Sequence, residues 1–379
     1  MKRYLATPGP TTIPEEVLAE CAKPIIHHRT KDYQEINREV SKDLQYIFCT
    51  QNPVFVFASS GTGAMEAAVC NILSSQDTAL ILCGGKFGER WAELCEAYSI
   101  ERDVLEFYWG DAPDPEDVRK RLSDNPKIKA VFTQLCETST GVLYDIENIA
   151  KVCREFEKIL VVDAISGLCA DPLFTDEWGV DVVVAGSQKG VMCPPGLSFI
   201  SVSKNAFSAI ERSDLPKYYF SLAKAYKSYL ENDTPFTPAV SLVRGLSVAL
   251  NLIKREGLAN VIKRHKVLAE ATRCAVAGIG LELLAKRPSS ALTAVKVPDG
   301  IDGKTLTKRM KEFYGVNVAG GQGRLTGAIF RIAHLGYAER FDVVVAISAL
   351  EMALSDLGFS IDLGKGVAEA ERVLKGFGL

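Results

Sequence analysis

Residues 159–190, ILVVDAISGLCADPLFTDEWGVDVVVAGSQKG, constrain this chain more than any other stretch. Val161 and Val162 run apolar straight into an acid, Asp163. Val182, Val183 and Val184 run apolar into a small-residue loop, Gly186-Ser187-Gln188-Lys189-Gly190. Such runs fit strands covered on both faces, as in a parallel sheet. In open α/β sheets, ligands sit beyond the carboxyl ends of the strands. This geometry predicts Asp163 and Lys189 at one ligand-binding edge, 26 residues apart in sequence.

A strand-end acid and a lysine are, in most chains, a loop cap and a solvated charge. Lys189 differs in its surroundings. It sits between Ser187-Gln188 and Gly190, just before Met192-Cys193-Pro194-Pro195-Gly196, with few charges nearby. A lysine desolvated in an apolar pocket loses proton affinity and becomes a usable nucleophile. Pyridoxal phosphate catalysis needs a lysine and a carboxylate on opposite sides of one planar ligand. The lysine bonds the cofactor, and the acid keeps the pyridine nitrogen protonated so that the ring accepts electrons.

Several strand-end loops surround that pair. A strand over 54–58 leads into Ser59-Ser60-Gly61-Thr62-Gly63 and the helical run AMEAAVCNIL. A small-residue turn between strand and helix leaves backbone N–H groups free for an anion. Next come a strand over 79–83, Gly84-Gly85-Lys86-Phe87-Gly88 and a helix from Glu89. Strand 130–134 then enters Leu135-Cys136-Glu137-Thr138-Ser139-Thr140-Gly141, where Glu137 and Thr140 read as loop-fixing residues. Strands alternating with helices predict a parallel sheet. Near the start, Asp32 with Glu35 forms a capping-box pattern for a helix over 31–48. After Lys189 come a strand over 197–202 and a rigid loop, Thr234-Pro235-Phe236-Thr237-Pro238, before a helix over 239–256. The expected organisation is an arm over 1–13, a large domain over 14–257 and a smaller α+β domain over 258–379. In that last part Arg331 lies inside an apolar strand, IFRIAHLG. Buried arginines are usually paired. Arg331 is therefore either a structural ion-pair member or a bidentate clamp for a carboxylate.

Charge and composition narrow the classes. A net charge of −3 without a basic block predicts no nucleic-acid surface. Apolar stretches are broken by charge or by Gly and Pro, so no membrane span is expected. The basic start MKRYLATPGP has no apolar signal region behind it. Ten cysteines without a CxxC fit free thiols in a reducing cytoplasm. His27-His28 reads as structural or interfacial, and no metal site is expected. Gly278-Ile279-Gly280 lacks the third glycine and the preceding strand of a dinucleotide motif.

Taken in order from TPGPTTIP to FRIAHLG, these motifs resemble the class V, fold-type I pyridoxal-phosphate aminotransferases. Within them the chain is most similar to the alanine/serine–glyoxylate (serine–pyruvate) group. The resemblance covers nearly the whole chain. It implies an α/β fold, with a mainly parallel seven-stranded sheet in the large domain and a smaller α+β C-terminal domain. It implies Lys189 as the catalytic lysine, with Asp163 and Gln188 also at the cofactor. It places Ser60, Gly61 and Thr62 on the cofactor phosphate, Phe87 on the pyridine ring and Thr138 on the phenolic oxygen. Relatives carry histidine at Thr62 and often tryptophan at Phe87. Thr237 would cap the phosphate from the other subunit, and Arg331 would hold the substrate carboxylate. Gly9 would reach a substrate from an arm that crosses to the partner. The implied partners are a second copy of the chain, in a homodimer with shared active sites, and small substrates. These are alanine or serine as donor and glyoxylate or pyruvate as acceptor. Other class V enzymes stay open as alternatives: a phosphonate or ureido-substrate aminotransferase, or a cysteine desulfurase-like lyase. Desulfurases stack a histidine on the ring and place another before the lysine, where this chain has Phe87 and Gln188. They also carry a late catalytic cysteine, whereas the last one here is Cys274.

Overall fold

The computed structural model describes residues 2–376. Its centre is a seven-stranded sheet. In spatial order the strands are Val54–Phe57, Ser198–Val202, Val182–Gly186, Ile159–Asp163, Ile128–Gln134, Thr78–Cys83 and Glu101–Glu106. Four of them have every residue buried. All neighbours pair in parallel except Ser198–Val202, which is antiparallel to both of its neighbours. Parallel strands need a crossover, usually helical, whereas an antiparallel neighbour can follow a short turn. The chain returns from Val182–Gly186 through the Lys189 turn without a helix, and this reverses the strand.

Both faces of the sheet are covered, as the apolar runs require. Leu80, Leu82, Val131, Leu160, Val162 and Val183 point to one face, where Leu44, Ile149 and Leu250 of three helices meet them. Ala79, Ile81, Phe132, Val161 and Val184 point to the other, against Met65, Val69 and Trp91. Alternate residues thus feed opposite cores, as the period of two in a strand dictates. Burying each large apolar side chain contributes roughly 1.5–3 kcal/mol.

The C-terminal part has its own core beneath a three-stranded antiparallel sheet, Leu292–Lys296, Ile329–Ala333 and Ala319–Gly320. Helices Leu258–Gly278, Arg340–Asp356 and Lys365–Lys375 pack on it. The N-terminal arm joins this part. Tyr4–Leu5 pairs in parallel with Val316–Asn317, and Ala333 N donates to Ala6 O at 2.9 Å. No helix among the described residues is long and apolar enough to cross a membrane.

Two local expectations change. Helix Lys31–Phe48 is capped by Thr30, whose side chain accepts from Tyr33 N, and Asp32 falls inside its first turn. Glu35 pairs with Arg38, so the Asp32–Glu35 box does not form. The helix expected from Glu89 begins at Lys86, three residues earlier. The reason is tertiary: Glu137 and Ser139 accept its first N–H groups, which no local side chain satisfies.

Candidate active site

Strand register brings the first pair together. Asp163 ends its strand opposite Val184 and Gln134, so its carboxyl group projects from the same sheet edge as the turn holding Lys189. Asp163 is 4% exposed, and its one hydrogen-bond donor among the described residues is Ile165 N, at 2.7 Å. Burial raises its pKa to about 7; the Ile165 N–H opposes, Glu137 adds to the rise, and Lys189 and Arg90 oppose it. The Lys189 turn is fixed from several sides. Ser187 Oγ donates to Pro194 O at 2.7 Å and accepts from Leu197 N at 3.2 Å. A Cβ on Gly190 would stand 2.2 Å from Leu168 O, so only glycine lets the turn lie this close to the loop after Asp163. Burial lowers the Lys189 pKa to about 8, with Asp163 opposing and Arg331 and Arg90 assisting.

The arm reaches this lysine from within the same chain. Lys189 Nζ donates to Pro8 O, Thr11 N donates to Gln188 O at 3.2 Å, and Thr11 Oγ1 donates to Lys189 O at 3.2 Å. Gly9 has φ +142°, and a Cβ there would lie 2.4 Å from Lys189 Cε. The expected crossing of Gly9 to a partner is replaced by contact with the chain's own lysine. Pairing of Tyr4–Leu5 with Val316–Asn317 holds the arm there.

Ser60, Gly61 and Thr62 form the N-terminus of helix Gly61–Ile72, which has no side-chain cap. A Cβ on Gly61 would stand 2.4 Å from Ile165 Cδ1, so this helix end is pressed onto the loop that follows Asp163. Its free N–H groups and positive dipole end suit an anion. Thr62 Oγ1 accepts from Arg90 Nη1 at 3.4 Å, and the Arg90 guanidinium lies 4.9 Å from the Phe87 ring centre. Phe87 sits in the first turn of helix Lys86–Ala97, where its N–H and that of Gly88 donate to Glu137 Oε2, each at 3.1 Å. Glu137 is fully buried and also accepts from Ser139 N and Oγ. Burial raises its pKa, and these donors oppose the rise. It fixes the loop, as expected from sequence. Thr138 Oγ1 donates to Ser166 Oγ at 2.6 Å, which joins this loop to the one after Asp163.

Thr138 also leads to Arg331. The arginine is 5% exposed, on the middle strand of the small sheet, opposite Ala294 and Ala319. Nε and Nη2 donate to Gly320 O at 3.1 and 2.7 Å. Nη1 donates to Thr138 O at 2.9 Å and to Gln322 Oε1 at 3.4 Å. Burial lowers its pKa to about 10, and Glu137 opposes. Among the described residues no carboxylate forms an ion pair with it. A buried guanidinium with only neutral acceptors is an anion site in waiting.

Thr237 is not brought to this edge. It lines a narrow groove with Tyr33, Phe57 and Tyr219, before helix Val240–Glu256. Three groups outside the sequence expectations do reach the site: Ser166, Arg90 and Gln322. Ser166 could have been found in the loop that follows Asp163; the other two carry no sequence signal.

The residues present fit pyridoxal phosphate. Asp163 is a buried carboxylate short of donors, and Gln188 Oε1 is buried without a partner. Beside them lie an uncapped helix end for a phosphate, an aromatic ring and a lysine of lowered pKa.

Known proteins match this chain along nearly its whole length. The family model Aminotransferase class-V matches residues 3–340. The chain is 42% identical to the "Soluble hydrogenase, small subunit" of Synechococcus sp. (strain PCC 6716), covering 98% of each chain. It is 35% identical to an L-aspartate–glyoxylate aminotransferase of Paracoccus denitrificans, covering 96% of this chain and 94% of that one. It is also 35% identical to a serine–glyoxylate aminotransferase of Methylorubrum extorquens, covering 99% and 96%. The solved ureidoglycine–glyoxylate aminotransferase of Bacillus subtilis superposes with a TM-score of 0.95 at 26% identity, covering 99% and 98%. With a family model over most of its length and relatives matching nearly end to end, the chain belongs to the class V aminotransferases, pyridoxal-phosphate-dependent enzymes of fold type I.

Proposed function

We propose that this chain binds pyridoxal phosphate through Lys189 and moves an amino group from a small amino acid, serine or alanine, to glyoxylate or pyruvate. The observation that carries the reading is Arg331, a buried cation whose hydrogen bonds all go to neutral oxygens, facing the cleft of Asp163 and Lys189. Relatives with glyoxylate in their names support the acceptor. The hydrogenase name stays with the relative that bears it.

When bound, the cofactor supplies an electron sink for the bonds at the substrate's α-carbon. The chain supplies the rest. Arg331 receives the α-carboxylate and sets the orientation. Lys189, with a pKa near 8, takes the α-proton as a neutral amine and returns it as an acid. Asp163 keeps the pyridine nitrogen protonated by facing it with a negative charge. The helix end at Ser60, Gly61 and Thr62 would hold the phosphate, and Phe87 would shield the ring from water. Thr138 would turn its hydroxyl from Ser166 to the phenolic oxygen. Water supplies the carbonyl oxygen of the 2-oxo acid that leaves, the amino group stays behind in the site, and a second 2-oxo acid takes it up by the reverse path in ping-pong order. In this reading residues 14–257 hold the cofactor and 258–379 supply Arg331. Thr237 reaches the phosphate of a second copy, so each site of a homodimer is shared.

Absorbance of the purified protein tests the reading. The yellow band of bound cofactor is expected to bleach on adding serine or alanine without a 2-oxo acid, and to return with glyoxylate. No band after adding pyridoxal phosphate overturns the cofactor. A band indifferent to both amino acids overturns the donors.

A further inference from the structure

The small-sheet loop beside Arg331 has so far served only as a support. Residues 321–325 read Gly-Gln-Gly-Arg-Leu, follow strand Ala319–Gly320, and have as their one regular element a single turn, Gly323–Leu325. The backbone that leads into this loop grips one edge of the guanidinium, where Gly320 O takes both Nε and Nη2. A carboxylate docks on a guanidinium through two parallel N–H groups. The edge that remains is Nη1 with the second proton of Nη2. Thr138 O takes one Nη1 proton at 2.9 Å, and Gln322 Oε1 stands 3.4 Å away on the same nitrogen. Gln322 is thus the one side chain among the described partners of Arg331. It is exposed, and its contact is the longest of the set. The backbone carbonyls cannot leave without disturbing a strand or the Glu137 loop. Gln322 can leave by rotating its own side chain.

We propose that Gln322 selects the amino donor. Its amide oxygen holds the place on Arg331 that a substrate carboxylate oxygen takes over, and its neutral side chain leaves the entrance without a cation for a second carboxylate. The exchange is favourable because a charged acceptor on a guanidinium is roughly twice as strong as a neutral one. Two of the neighbouring cations, Lys86 and Arg324, are paired with carboxylates. Lys86 Nζ lies 2.5 Å from Glu89 and 3.8 Å from Glu93. Arg324 lies over the Trp109 ring and 3.9 Å from Glu89. Arg90 is turned toward Thr62 and Phe87. The substrate class is then a monocarboxylic amino acid with a small neutral side chain, and aspartate is a poor donor. This inference rests on the reading of Arg331 as the carboxylate site.

Two inert probes test it by calorimetry on the cofactor-loaded enzyme: 3-hydroxypropionate, which is serine-shaped without the amine, and succinate, which is aspartate-shaped. The wild type is expected to bind the first and not the second. Gln322→Glu is nearly isosteric and sets the chain's own carboxylate on Arg331. It is expected to weaken 3-hydroxypropionate binding by about tenfold or more and to raise KM for serine similarly, with kcat within about twofold. Gln322→Arg is expected to bind succinate and to shift kcat/KM toward aspartate over serine by about tenfold. Strong succinate binding by the wild type, unchanged probe binding in Gln322→Glu, or an unchanged donor preference in Gln322→Arg overturns the role of Gln322. An Arg331→Met enzyme separates the two readings. If it still binds 3-hydroxypropionate, the carboxylate site itself is misplaced. If it loses binding while Gln322→Glu behaves as wild type, only the inference about Gln322 falls.

Discussion

The two walls of the site are built by opposite rules. On the large-sheet wall, Asp163 and Lys189 stand at the ends of fully buried strands, and glycines at 61 and 190 close the backbone around them. On the small-sheet wall, Arg331 is buried but is held by a glycine-rich loop whose residues 322, 323 and 324 are exposed. One wall is locked by packing from both sides; the other is gripped by a surface segment. The lesson is a division of labour. Proton transfer is assigned to the wall that cannot yield, and recognition to the wall that can.

Substitutions that remove the chemistry should break the rigid wall outright. Lys189→Ala is expected to lower turnover by about 10³-fold or more, the range for losing a general base. Stopped-flow absorbance of the half-reaction checks this, and a variant with near-normal turnover would remove Lys189 from the mechanism. Next in size is a stability effect. Asp163 is raised from 3.8 to about 7, so in the folded apoprotein it holds its proton more tightly than in the unfolded chain. The stability it contributes is complete below about pH 4 and is lost as pH rises to 7. Asp163→Asn lacks this loss. The variant should gain on wild-type apoprotein across pH 4–7 by up to about 4 kcal/mol and hold a constant lead above that. Denaturant melts at several pH values measure it; a flat difference would mean that Asp163 is not desolvated.

On the yielding wall the effects should be smaller and should fall on KM. Arg331→Met is expected to cost about 100-fold in kcat/KM, the loss of one charged bidentate contact, mostly through KM. If kcat falls as far as in Lys189→Ala, the division between walls is wrong. The smallest change joins the two. Thr138→Val removes the hydroxyl contact to Ser166 and keeps the carbonyl contact to Arg331, and should cost about 1 kcal/mol of stability. Thermal unfolding would detect it.

The rigid wall was legible in the sequence and the yielding wall was much less so. Asp163 and Lys189 announce themselves because a buried parallel strand must be apolar until it ends. The uncapped turn at Ser60-Gly61-Thr62 is legible for a similar reason, since small residues between strand and helix have few other uses. Arg331 was visible as a charge in an apolar strand, yet its role needed the observation that no carboxylate pairs with it. Gln322 and Arg90 left no signal, because neither interrupts a pattern. The early start of helix Lys86–Ala97 was hidden because its cap, Glu137, lies fifty residues beyond Phe87. The arm was misread in destination, because no periodicity tells whether Gly9 serves its own lysine or another's.

The pairing of Tyr4–Leu5 with Val316–Asn317 also sets a timetable for biosynthesis. About 310 residues separate the two strands, and a ribosome adding roughly 5–20 residues per second needs some 15–60 s to cover them. Tyr4–Leu5 is therefore synthesised long before the strand it pairs with. A chain released before residue 316 would hold every strand of the large sheet but not the strand that pairs with Tyr4–Leu5. Pro8 and Gly9 would then be held over Lys189 only by the contacts of Pro8 and Thr11 with Gln188 and Lys189, without the strand pairing behind them.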